Sequence, residues 1–188
     1  KVRTLVLSPM GKTLVKSDSH RLQIFNDSQS CVDAVNEIYS SALQRNNEYK
    51  DKLAQGDELP QYEPLFVIIQ SMSLLKTMLE RFKVAEDAKT ASDDTPFNRL
   101  QTAMWKCTNE CNIHFLVCET SGALAPLTVE NWYKTHIGGN NGIWIGSGIN
   151  SQFRLTVNKK LPEYAAEIGS EFGFAIKQST AAFIKFLQ

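Results

Sequence analysis

Gly11-Lys12-Thr13 follows an apolar run, Val2 to Leu7, and the break Ser8-Pro9. A strand, a turn and a helix opening on glycine, lysine and threonine is the layout of a phosphate-binding loop. Amides freed at a helix start point at phosphate oxygens, the lysine adds positive charge, and the threonine adds a hydroxyl. The pattern is incomplete, because a full loop places a glycine five residues before Gly11, where this chain has Val6, and Leu7 to Met10 contains none. Without glycines a loop does not readily bring its amides close around a triphosphate. Gly11, Lys12 and Thr13 are therefore candidate nucleotide-binding residues of weak affinity, and an ordinary strand, turn and helix start is the alternative.

Phosphoryl chemistry also needs acids. In a nucleotide hydrolase of this layout, the apolar strand after the first long helix ends in a carboxylate that holds magnesium and a second that polarises the attacking water. Here that strand is Leu65-Phe66-Val67-Ile68-Ile69, and the acid positions hold Gln70 and Ser71. A neutral amide and a hydroxyl do not replace negative charge on a hard dication, and Gln70 accepts no proton near neutral pH. No catalytic residue is assigned.

Other clusters are weaker. Cys107, Cys111 and His114 fall at i, i+4 and i+7, a spacing that would align three metal ligands on a helix, but no fourth ligand sits nearby at zinc spacing. A core stripe running into a strand accounts for them, and no metal is expected. His20 and His136 lack a neighbouring nucleophile and acid. Gly146-Ser147-Gly148 is half of a dinucleotide fingerprint and reads as a turn.

The elements that must position these residues follow from spacing. Leu22 to Phe25 reads as a short strand. Asp27 or Ser28 caps a helix whose Val32, Val35, Tyr39, Ala42, Leu43, Tyr49 and Leu53 share one face, ending near Gly56. Leu65 to Ile69, apolar without alternation, predicts a strand covered on both faces. Met72, Leu75, Met78, Leu79 and Phe82 mark a helix, and Ala85 to Pro96 a polar surface loop. Phe97, Leu100, Met104, Cys107 and Cys111 mark another helix, and Ile113 to Cys118 a further strand. The alternation predicts an α/β domain with a mostly parallel sheet. In the last third, Val129 to Ile137 reads as helix, Gly142 to Gly146 as strand, Gln152 to Val157 as a half-wet strand and Pro162 to Ile168 as a short helix. Phe172 to Ile176 and Ala182 to Leu187 would form a closing hairpin.

The chain has 188 residues, 20 basic and 20 acidic, with 43% hydrophobic residues. One domain, 1–188, is expected, long enough to bury about two-thirds of its unfolded surface. The balanced charge supplies no field to hold nucleic acid, so none is expected as a partner. No run approaches the roughly 20 apolar residues of a spanning helix. Cys31, Cys107, Cys111 and Cys118 lie among apolar residues, which suits free thiols in a reducing compartment. The expectation is a cytosolic domain excised from a larger protein.

Gly11-Lys12-Thr13 after a strand, the strand ending at Gln70-Ser71, Asn112 to Cys118, and Asn141-Gly142-Ile143-Trp144-Ile145-Gly146-Ser147-Gly148-Ile149 together resemble the RecA-like, P-loop ATPase domains of the FtsK/SpoIIIE class. Within it the chain looks most like the third, C-terminal ATPase domain of the membrane-anchored coupling proteins of type VIIb secretion systems. The likeness covers essentially the whole chain, and the Gly-Ile-Trp-Ile-Gly stretch is its distinctive part. Active members carry a complete loop, an acid pair and a polar sensor; the acids map to Gln70 and Ser71, and the sensor Gln-Arg pair of the DNA translocases to Thr120 and Ser121. The resemblance implies a degenerate ATPase fold that binds ATP and magnesium weakly, recognises small helical secretion substrates, neighbours other ATPase domains of the same chain, and enters a hexamer on the cytoplasmic side of a membrane. A working or weak ATPase motor domain is the alternative, with DNA translocation behind it. Trp132 and Tyr133, adjacent on a helix so that one ring should face outward, are the candidate substrate-binding residues.

Overall fold

The computed structural model describes residues 2–9, 11, 19–82, 94–107, 109–159 and 162–186, and the chain divides into two compact units, Lys1–Thr120 and Ser121–Gln188. The first is built on strands β1 (Arg3–Leu7), β2 (Leu22–Phe25), β3 (Leu65–Gln70) and β4 (Ile113–Cys118), and on helices α1 (Ser28–Gln55), α2 (Met72–Leu79) and α3 (Pro96–Lys106). The strands form one parallel sheet in the order β2-β1-β3-β4, with Leu7 opposite Ile69 and Ile69 opposite Val117. Parallel pairing puts all four carboxyl ends on one edge, and there the candidate site residues leave the sheet.

Local chemistry sets the helix ends. Asp27 Oδ1 accepts the Ser30 amide at 3.0 Å and opens α1, and Gly56, at φ 71°, closes it in the left-handed conformation that favours glycine. The buried stripe of α1 runs Cys31, Val32, Ala34, Val35, Ile38, Ala42 and Asn46. It stops there: Leu53, expected on the same face, is 58% exposed, so the last turns lie beyond the apolar contact. Thr95 Oγ1 accepts the Asn98 amide and starts α3. The rest of the predicted surface loop, up to Asp93, lies outside the described residues.

Two expectations are corrected in this unit. Leu65, Val67 and Ile69 are buried, but Phe66 is 40% exposed against His114, and Leu116 on β4 is 48% exposed, so the apolar run is not covered on both faces. The predicted helix through Cys107 and Cys111 ends at Lys106. Cys107 turns extended, Cys111 closes the 3-10 turn Asn109–Cys111, and His114 lies in β4, so the three never share a helix face. Among the described residues no group of side chains could hold a metal ion. The opposite edge of the sheet is tied down by Arg45. Its Nη1 donates to the carbonyls of Glu63 and Cys111 at 3.0 and 2.9 Å, and its guanidinium lies 5.0 Å from the Tyr62 ring.

The second unit holds α4 (Ser121–Leu124), the 3-10 turn Ala125–Val129, α5 (Asn131–His136), β5 (Gly142–Ile145), the 3-10 turn Pro162–Ala165, β6 (Phe172–Lys177) and β7 (Thr180–Lys185). The expected helix over Val129 to Ile137 is thus a 3-10 turn followed by α5. The closing hairpin forms as β6 and β7, joined by Gln178 and Ser179 at φ 49° and 62°, the two left-handed residues of a turn that matches strand twist. The strand expected over Gln152 to Val157 does not form. Gln152 Oε1 accepts the amides of Arg154 and Leu155 at 2.6 and 2.7 Å and curls the segment. The sheet is antiparallel, β5-β6-β7, over a core of Ile149, Tyr164, Phe174 and Ile176.

Candidate functional site

β1 leaves the sheet through Ser8, which is fully buried and donates its amide to the Phe25 carbonyl at 2.8 Å. The Gly11 amide then donates back to the Ser8 carbonyl at 3.1 Å, with Gly11 at φ 65°. That bond closes a tight turn and engages the Gly11 amide within the chain, so it is not aimed at an anion. Lys12 and Thr13 lie outside the described residues.

β3 leaves through Gln70 and Ser71. Ser71 has φ 59° and ψ 84°, a left-handed serine that stores on the order of 1–3 kcal/mol of strain. Its amide donates to the Cys118 carbonyl at 3.0 Å, joining the corner to the end of β4. As the N-cap of α2 it makes no capping bond of its own.

The cap comes from the neighbouring strand. Glu119, directly after β4, accepts the Ser73 amide on Oε2 and the Thr120 amide on Oε1, both at 2.8 Å. Burial raises its pKa, but hydrogen bonds from Ser73, Thr120 and Ser71 outweigh that and hold the carboxyl below its ordinary value. It is ionised at neutral pH, with both oxygens engaged. Glu119 is the residue that sequence reasoning missed. Cys118 is the register partner of Gln70, so an acid after Cys118 stands one strand over from the Gln70–Ser71 corner. The signal was legible as an acid closing an apolar strand.

Trp132 and Tyr133 do not form a surface. They are 2% and 6% exposed, packed edge to face at 5.8 Å, and Tyr133 donates its hydroxyl to the Arg154 carbonyl at 3.2 Å. Adjacent helical residues point about 100° apart, which on a one-faced helix would expose one of them, but α5 is a six-residue helix with both residues enclosed. The Trp132 Nε1 is buried without a hydrogen-bond partner among the described residues. Ser147 also settles as structure: its Oγ donates to the Ile168 carbonyl and accepts the Ile168 amide, and its carbonyl accepts Trp144 Nε1. Of the cysteines, Cys31 and Cys107 are pushed up by burial to about 11 and about 12, so both stay protonated core thiols.

A parallel four-stranded sheet flanked by helices is a fold found in RecA-like ATPase domains. The solved structures that share it include the cytoplasmic domain of EssC, with a TM-score of 0.68 at 13% identity, over 98% of this chain and 33% of that one. Another, described as an ATPase, has a TM-score of 0.62 at 10% identity over 98% of this chain and 62% of the other. Thermomonospora curvata EccC (ATPases 2 and 3), solved in complex with a signal sequence peptide, has a TM-score of 0.63 at 13% identity over 99% of this chain and 31% of that one. The chain thus spans about a third of the EssC chain it resembles. No protein-family model matches it, and no curated protein does. No helix among the described residues is long and apolar enough to cross a membrane.

Proposed function

We propose that this chain is a RecA-like domain of a type VII protein-secretion motor that couples and recognises protein without hydrolysing ATP. The observation that carries the reading is the corner at Gln70 and Ser71. It offers no carboxylate, and the acid bonded beside it among the described residues, Glu119, has both oxygens engaged by backbone amides. Removing the metal-holding and water-polarising acids removes several kcal/mol of barrier reduction. The Gly11 amide, bonded to Ser8, weakens the phosphate cradle further. On this reading the chain is a third ATPase domain of an EssC-like coupling protein, beside other ATPase domains and within a hexamer at the cytoplasmic face of a membrane; the likeness in fold to EssC and EccC supports the secretion-motor part of it. The signal peptide bound to one neighbour supports small helical secretion substrates as the ligands. Any ATP and magnesium would be held weakly at Gly11, Lys12 and Thr13.

A second reading, a slow ATPase, has one observation behind it, the ionised Glu119 on the carboxyl edge of the sheet. Phosphate release from ATP with magnesium separates the two. The expected result is no turnover above a Lys12→Ala control; turnover abolished by both Lys12→Ala and Glu119→Gln establishes the second reading.

A further inference from the structure

We propose that Cys107 and Cys111 are a redox pair, which closes to an intramolecular disulfide in the folded protein and pins the end of α3 to the start of β4. Both are free thiols of the first unit, 8% and 1% exposed. Cys107 ends α3, its amide donating to the Ala103 carbonyl at 2.9 Å and its backbone already extended at φ −71° and ψ 114°. Cys111 closes the 3-10 turn that follows, and the Asn112 amide donates back to the Asn109 carbonyl at 3.1 Å. Across this change of direction the two thiols meet in a side-chain hydrogen bond. The other two cysteines are placed differently: Cys31 Sγ donates to the Phe25 carbonyl at 3.4 Å, and Cys118 is exposed at the far end of β4.

Closing the pair needs an oxidant, and a small disulfide of the glutathione class supplies it. Cys107, the less buried sulfur, loses its proton and attacks one sulfur of that disulfide, and the first small thiolate leaves. Cys111 then loses its proton and attacks the Cys107 sulfur of the mixed disulfide, and the second small thiolate leaves. The two protein thiols are oxidised by two electrons, the small disulfide is reduced to two thiols, and those thiols take up the two protons. Burial pushes the Cys107 thiol up to about 12, so the first attack is slow at neutral pH and quickens about tenfold for each pH unit below that value.

The backbone that the bridge would steady lies directly beside it. The Cys111 carbonyl accepts Arg45 Nη1 at 2.9 Å, and the Asn112 carbonyl accepts the Leu65 amide at 3.0 Å. A covalent link at Cys111 therefore acts on the amino ends of β3 and β4, at the opposite end of the strands from Ser71 and Glu119. It is independent of whether the chain binds nucleotide or serves a secretion motor.

The test is incubation of the folded full chain with oxidised glutathione from about pH 7 to about pH 9, then cleavage after Glu110, which separates the two cysteines, and mass spectrometry. The expected result is a Cys107–Cys111 linkage with the loss of two hydrogens, formed faster as pH rises and reversed by dithiothreitol, while exposed Cys118 carries a glutathione adduct. Hydrogen exchange at the Leu65 amide should be several-fold slower in the bridged chain. A Cys111→Ala variant lacks the second attacking sulfur and should stop at a glutathione adduct on Cys107; the linkage in the unsubstituted chain is read whether or not that variant folds. Free thiols at both positions after Cys118 is fully modified, lasting glutathione adducts on both, a linkage that forms only once urea unfolds the chain, or a bridged chain whose Leu65 amide exchanges as in the reduced one overturns the proposal.

Discussion

Glu119→Gln isolates what the borrowed cap does. The carboxylate accepts two amides on two oxygens, whereas an amide side chain keeps one acceptor and turns an NH2 toward the other N–H. One charge-assisted bond is lost outright and the other becomes neutral. Hydrogen bonds to a charged group contribute about 1.5–3 kcal/mol, and loss of an N-cap costs about 0.5–2 kcal/mol. Because the group is only partly buried, the expected destabilisation is about 1–2 kcal/mol. Urea unfolding followed by circular dichroism at several pH values measures it. The sign of the pH dependence follows from the lowered pKa. A carboxyl with a folded pKa below its unfolded value contributes stability that is fully present above the unfolded value, about 4.5, and lost as pH falls through the folded one. Parent and variant should therefore differ at pH 7 and converge as pH drops below 4.5. A variant as stable as the parent at pH 7, or one whose deficit persists unchanged under acid conditions where both still fold, refutes the cap argument.

Two further substitutions test the framework. Arg45→Ala removes the donor to the Glu63 and Cys111 carbonyls and the cation over Tyr62, and should lower stability by about 2–3 kcal/mol in the same unfolding assay. Arg45→Lys should recover only part of that, since one ammonium lacks the planar fork. Gly173→Ala places a methyl 2.3 Å from the Trp144 carbonyl and 3.1 Å from the Phe186 ring, so β5 must move away from β6. A loss of about 1–3 kcal/mol, read by thermal melting, is expected from the overpacking.

The sequence carried the parallel sheet well, because each strand is an apolar run bounded by a turn signal, and Asp27 marked the start of α1; α2, whose N-cap Ser71 makes no capping bond, carried no such signal. It failed where one side chain overrides periodicity. Gln152 to Val157 alternates like a strand, yet the Gln152 amide bonds to residues two and three ahead and bends the segment. It also failed where burial exceeds what a one-faced helix allows. Trp132 and Tyr133 are both enclosed, which no spacing rule within α5 could reveal.

The carboxyl ends of the parallel strands show the same limit in sharper form. Reading the chain by position tests Gln70 and Ser71 for acids and finds none, which is correct for those residues. A parallel sheet, however, brings the ends of adjacent strands together regardless of their distance along the chain, and Glu119 arrives at the Ser71 corner from a strand that begins 42 positions after Ser71, at Ile113. What the acid does there depends on its bonds. The Ser73 amide on Oε2 makes a cap at the start of α2, the Thr120 amide holds Oε1, and together they leave the carboxylate with less freedom to reach a metal or take a proton. That carboxylate relieves one amide at the start of α2, and a left-handed serine stands beside it. The acid at the end of β4 is thus read by its bonds, and those bonds tie the end of one strand to the start of the helix that follows its neighbour.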